Sequence, residues 1–200
     1  MVSSSLIDGG LPNELGGSPI HADFRNILQI MEHLEKQSSD QTQTLLQVLQ
    51  QFYEEVPQDY VKAIEGLIWF IHRGAVPDTD QPRTPSKRKA YDFTQDANLI
   101  FSAFFATYGI DLADIAFLHW WKFLALFESL PEDALIRKVM YWRSCDVSRL
   151  SKEEKKHVLE MRKHFALKGS EQAPQTIEEV NQSTRDYYER RIARVQERQK

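Results

Sequence analysis

Apolar side chains recur at helical spacing along most of this chain, and that spacing predicts its elements. Asp23 is an N-cap residue type, and Phe24, Ile27, Leu28, Met31 and Leu34 follow on one face, predicting a first helix to about residue 36. A second starts near Asp40 with Leu45, Leu49, Phe52 and Tyr53 on one side. Pro57 separates it from a third, striped by Tyr60, Ile64, Leu67, Ile68 and Ile71, with Gly74 where a left-handed cap belongs. A fourth begins near Asp92 or Thr94 and stops at Gly109, with Phe93, Ala97, Ile100, Phe101, Phe104 and Tyr108 sharing a face. Asp111 is expected to cap a fifth that runs to about Ser129. Pro131, Glu132 and Asp133 suit the first turn of a sixth. Ser151 and Glu154 form a capping box for a seventh, to about Leu167, and Thr176 with Glu179 opens a polar C-terminal helix.

Two stretches break the pattern. Residues 1–22 are rich in Gly, Ser and Pro; Gly16-Gly17 offers the turn of a short hairpin, with a frayed tail as the other reading. Residues 75–90 carry Pro77, Pro82, Pro85 and the cluster Lys87-Arg88-Lys89, which excludes a helix and a buried strand alike. No strand pattern follows residue 22. The expected fold is all-α, a helical bundle of about seven to eight helices. Its expected parts are an N-terminal segment or hairpin (1–22), an N-terminal helical part (23–74), a charged linker (75–90), an aromatic-rich helical core (91–167) and a polar C-terminal helix (176–200).

The fifth helix turns this pattern into a functional question. At 100° per residue Leu112, Ile115, His119, Phe123, Leu126 and Leu130 fall on one face, while Phe117, Trp121 and Leu124 fall nearly opposite and Trp120 lies between. Such a helix is either central to a core or meets another chain on one side. The residues expected to carry partner contact are Phe105, Phe117, Trp120, Trp121, Leu124 and Trp142, each of which could equally be core.

Composition narrows the chemistry. The 200 residues are 42% hydrophobic and 27% charged, close to globular averages. A net charge of −4 argues against a nucleic-acid coat protein. In the tail, Asp186, Glu189 and Glu197 offset Arg185, Arg190, Arg191, Arg194 and Arg198, while Tyr187, Tyr188, Ile192 and Val195 leave a narrow apolar strip. The single Cys145 rules out an internal disulfide and has no histidine near it in sequence, which disfavours a nucleophile. No apolar run reaches the roughly 18 residues that span a bilayer, and no secretion signal opens the chain, so a soluble cytosolic protein is expected. His119 has no second ligand at i±3 or i±4, which points to a packed, hydrogen-bonded histidine. His157 and His164 are surrounded by Lys155, Lys156, Arg162 and Lys163, a poor cation site. Caps and first-turn charges account for Asp92, Asp111 and Asp114. No motif for acyl transfer, phosphate binding, zinc or redox chemistry is present. The expectation is a non-enzyme without metal or cofactor.

Specific residue blocks carry the reading further. They are Asp23-Phe24-Arg25 at the first helix, the stretch around Trp69, Tyr91-Asp92-Phe93 with Asp96-Ala97, and Tyr108-Gly109-Ile110-Asp111-Leu112. Then come Leu118-His119-Trp120-Trp121-Lys122-Phe123, Ala125-Leu126-Phe127, and Arg143 with Asp146 ahead of Ser148. In these blocks, over roughly residues 20–167, the chain resembles the bacteriophage "Gp fifteen" proteins of long-tailed phages and prophages of Gram-positive bacteria. The residues before Asp23 are poorer in strand signal than the family's N-terminal hairpin, and residues 176–200 extend past the shared core. The resemblance implies a non-enzymatic tail-assembly chaperone of the host cytoplasm, absent from the mature virion. Its implied partners are the tape measure protein and tail-tube subunits, with self-association a further expectation. The alternative is a structural tail component, a connector or tip, retained in the virion. A nucleic-acid-binding regulator using the basic linker is the weakest reading.

Overall fold

A computed structural model describes residues 10–35, 41–74 and 89–168. Most of the charged linker and the C-terminal helix expected from the sequence lie outside the described residues. Gly16 and Gly17 take φ of 63° and 81°, the left-handed pair that a two-residue hairpin turn requires. They join β1 (Glu14–Leu15) to β2 (Ser18–Pro19) in antiparallel register, Glu14 opposite Pro19 and Leu15 opposite Ser18. The hairpin is therefore formed. Backbone bonds from His21 N to Phe52 O (2.8 Å) and from Glu54 N to Pro19 O (3.0 Å) stitch it to the chain around Tyr53.

The rest is helical: α1 (Phe24–Glu35), α2 (Gln41–Phe52), α3 (Tyr60–Ile71), α4 (Ala97–Tyr108), α5 (Trp120–Glu128), α6 (Leu135–Ser144) and α7 (Lys152–His164). A 3-10 turn, Val147–Arg149, precedes α7. These are grouped into two compact units. The first draws on Met1–Gln81 and Asp96–Lys138, the second on Pro82–Gln95 and Val139–Lys200. Residues 96–138 thus cluster with the N-terminal helices.

In the first unit α1 packs on α2 and α5, α2 on α3, and α4 on α5. Phe123 is the centre of its core. The rings of Phe24, Phe104, Trp120 and Phe127 stack on it at 4.8, 5.2, 5.7 and 6.4 Å, all within 17° of parallel. A second cluster joins Phe52, Tyr53 and Phe70.

The fifth helix is shorter than its apolar spacing predicts. Residues 111–114 make one turn, in which Asp111 Oδ1 accepts from the N–H groups of Ala113 and Asp114. The chain then continues without helix, through a bend at Ala116, to His119, and α5 begins at Trp120. Tertiary hydrogen bonds explain the difference. Phe24 N donates to Leu118 O (2.9 Å), Trp120 N to Ala22 O (2.8 Å) and Leu118 N to Asp23 Oδ2 (3.0 Å). Arg25, paired with Asp23 at 2.9 Å, donates to Ile115 O at 2.7 Å. A helix through 111–119 would lose all of these. Leu112, Ile115 and Phe117 accordingly do not share a face with α5.

His119 is the N-cap of α5, buried and hydrogen-bonded. Its Nδ1 accepts from Trp121 N at 3.1 Å, so the ring proton sits on Nε2, 3.2 Å from Pro12 O. Two other helices also start late. Asp92 accepts from Thr94 and Gln95 in a turn before α4, and Pro131 heads its own turn, closed by Ala134 N, before α6.

Long side chains from elsewhere in each unit satisfy its helix C-termini. At the end of α3, Trp120 Nε1 donates to Ile71 O (3.1 Å) and Trp121 Nε1 to Phe70 O (2.8 Å). Arg73 and Gly74 close that helix at φ 56° and 80°. In the second unit α6 and α7 exchange arginines. Arg162 of α7 donates to Trp142 O and Cys145 O, both at 2.7 Å, and Arg143 of α6 donates to Phe165 O at 2.7 Å. The Ser151–Glu154 capping box is formed as the sequence predicts.

These contacts can be checked by unfolding. Arg162→Met removes two charge-assisted bonds from the end of α6 and should cost about 2–4 kcal/mol in urea; Arg162→Lys, lacking the fork, should recover less than half of it. Burial, with Lys122 adding to it, holds the His119 pKa below its ordinary value against the Pro12 bond. The native state keeps His119 neutral while the unfolded chain binds a proton near pH 6.5, so its stabilisation is complete above about pH 6.5 and lost as pH falls toward the depressed native value. His119→Asn keeps a capping oxygen that does not titrate, and should flatten the unfolding midpoint between about pH 7.5 and 5.5.

Candidate protein-binding surface

α4 contains no charged residue from Ala97 to Tyr108. Ile100, Ala103 and Phe104 are buried, as its apolar spacing requires. On the outside Phe101 and Phe105, one turn apart, stack at 6.4 Å and 7° with 36% and 56% of their surface exposed. Two large aromatic rings side by side on an uncharged helix form a patch, unlike the single exposed apolar residues normal on any surface.

The six residues expected to meet a partner are placed differently from one another. Phe105 and Phe117 face water, Phe117 being 54% exposed on the non-helical segment before α5. Trp120 is 2% exposed, fixed by its stack on Phe123 and its bond to Ile71 O. It is a core residue, the second of the two roles its sequence allows. Trp121 and Leu124 are half-buried. Trp121 stands between Trp69 at 5.4 Å and Phe70 at 5.8 Å, with its indole N–H committed to Phe70 O. Trp142, half-buried in the second unit, stacks on Phe165 at 5.6 Å and meets His157 edge-on.

Sequence reasoning misses Phe101 because helical spacing puts it beside Ile100 and Phe104, inside. The available signal is the Phe-x-x-x-Phe pair on a helix with no charge to mark its wet side.

The titratable groups have structural tasks. Lys62 N–H and its ammonium hold Asp59 below the usual carboxylate range. Burial opposes ionisation of Asp92, yet the Gln95 N–H, the Lys89 ammonium and the Thr94 N–H hold its carboxyl low. Hydrogen bonds from Ser148 lower Asp146, and those from Ser151 lower Glu154. All four carboxylates move in the direction of a cap or turn, opposite to a general acid. Tyr141 is pushed up by the neighbouring Cys145. Among the described residues no group of three or more His, Cys, Asp or Glu could hold a metal ion. None of the described helices is long and apolar enough to cross a membrane.

A comparison with curated proteins finds no match, nor does one with solved structures. The family model described as Bacteriophage Gp15 protein matches residues 14–167, from β1 to the buried Leu167 just past α7. With that match over most of its length, the chain belongs to the bacteriophage Gp15 protein family.

Proposed function

We infer that this phage protein is a non-enzymatic tail-assembly chaperone. It holds the tape measure protein soluble in the host cytoplasm, delivers it to tail-tube subunits and is left out of the finished virion. The observation that supports this reading best is the stacked Phe101–Phe105 pair on the uncharged outer face of α4, with Phe117 as a second exposed aromatic. A long helical client presents apolar stripes, and aromatic anchors supply most of the binding energy at such contacts. Among the described residues the first unit carries an acidic excess, and like charge of that kind keeps a protein bearing exposed rings dispersed. The resemblance that led to tail assembly in the sequence points the same way.

Co-expression with the cognate tape measure protein tests the reading. The wild-type chain should raise the client's soluble yield and be recovered with it. Phe101→Ala/Phe105→Ala should lower the recovered complex about tenfold. The variant should still unfold cooperatively, with a loss of about 1–3 kcal/mol from the part of the two rings that is buried. If the client's solubility is indifferent to the wild-type chain, the proposal fails. Mass spectrometry of purified virions separates the structural alternative: a connector or tip protein would be stoichiometric, a chaperone trace or missing.

A further inference from the structure

The two compact units carry opposite charge. Among the described residues, the first unit sets fourteen acidic side chains against six Lys or Arg, and the second sets five against nine. Each turns outward a helix face on which apolar side chains lie among charges of that unit's sign. On α3, Ala63, Leu67 and Phe70 are buried, and the opposite side carries Val61, Glu65 and Ile68, flanked by Lys62, which pairs with Asp59 at 3.3 Å. Val61 is 67% exposed and Ile68 41%, and the exposed Glu54, Glu55 and Asp59 lie just before them. On α7 only Val158 is buried. Its opposite side carries Lys152, Lys156, Leu159 and Lys163, with Glu153 and Glu160 flanking them.

Both stripes step i, i+4, i+7 along their helices. We propose that they are the two halves of one interface between copies of this chain, α3 of one copy seating α7 of the next. Laid side by side in parallel, Glu65 meets Lys156 and Ile68 meets Leu159, a charge pair beside an apolar pair. The occupant is a second copy because one chain carries both complementary faces, in equal number and both exposed. The two faces differ, so the contact is heterologous and association runs head to tail into rings or open chains. Exposed ion pairs make such association sensitive to salt.

Sedimentation velocity of the full chain over a dilution series, at low and at high salt, tests the proposal. Low salt should give concentration-dependent assembly that high salt dissolves. Glu65→Lys or Lys156→Glu alone should weaken it about tenfold or more. The double variant E65K/K156E, or an equimolar mixture of the two single variants, should recover it. Val61→Ser and Leu159→Ser should weaken the same association without touching charge. A chain that stays monomeric throughout would overturn the proposal. So would assembly indifferent to both reversals, failure of the mixture to recover, or a Glu65 face that takes a basic helix of another protein and never a second copy.

Discussion

The first unit depends on a short exchange of backbone hydrogen bonds between residues 22–24 and 118–120. Asp23 and His119 form an isolated antiparallel bridge, and Ala22, Phe24, Leu118 and Trp120 supply the bonds on either side. The exchange lies one residue before α1 and one residue before α5, so both helices start from the same place. Phe24 is then set 4.8 Å from Phe123, and the aromatic stack grows from that contact. The Asp23 carboxylate accepts four hydrogen bonds, from Arg25 N and Arg25 Nε at Oδ1 and from Arg25 Nη2 and Leu118 N at Oδ2. A carboxylate shared among donors orders its surroundings more firmly than a single surface ion pair does.

From this anchor the paired tryptophans acquire distinct tasks. Trp120 points inward and stacks, while Trp121 lies half-buried against Trp69 and Phe70. Both indole N–H groups end on neighbouring carbonyls of α3. Phe70 O also accepts from Arg73 N at 3.2 Å as the helix closes through Arg73 and Gly74, whereas Ile71 O takes its bond from Trp120. The Trp-Trp step therefore joins α5 to α3 by hydrogen bonding as much as by apolar burial. Trp120 cannot leave for a partner without taking its hydrogen bond from Ile71 O.

Elements set by local chemistry were legible in the sequence. Gly16-Gly17, Asp23, Gly109 and the Ser151–Glu154 box each mark a turn or cap through contacts a few residues long. What could not be read was set at a distance. The helical period over 111–119 was genuine, but Asp23 and Arg25 compete for that backbone from roughly ninety residues away. The same limit governs the candidate surface. Hydrophobicity could not separate Trp120 from Phe105, because the difference between them is the stack on Phe123 and the bond to Ile71. Gly66, which the sequence did not single out, shows the same thing at the scale of one atom. Glycine inside a helix costs about 1 kcal/mol against alanine, yet a Cβ there would lie 2.6 Å from the Tyr53 hydroxyl, whose bond to Ala63 O crosses that position at 3.0 Å.

The exposed rings and the charge distribution belong to one physical argument. A surface that must hold apolar protein needs bare aromatic area, and bare aromatic area drives a protein to stick to itself without order. Like charge of fourteen against six among the described residues of the unit that carries Phe101, Phe105 and Phe117 opposes that collapse by repulsion between equivalent units. Repulsion of this kind leaves an unlike face free to approach. Segregated charge therefore suppresses ring-to-ring contact between identical units while permitting contact between opposite ones. Exposed phenylalanine is more tolerable on a unit whose net charge repels its own copies.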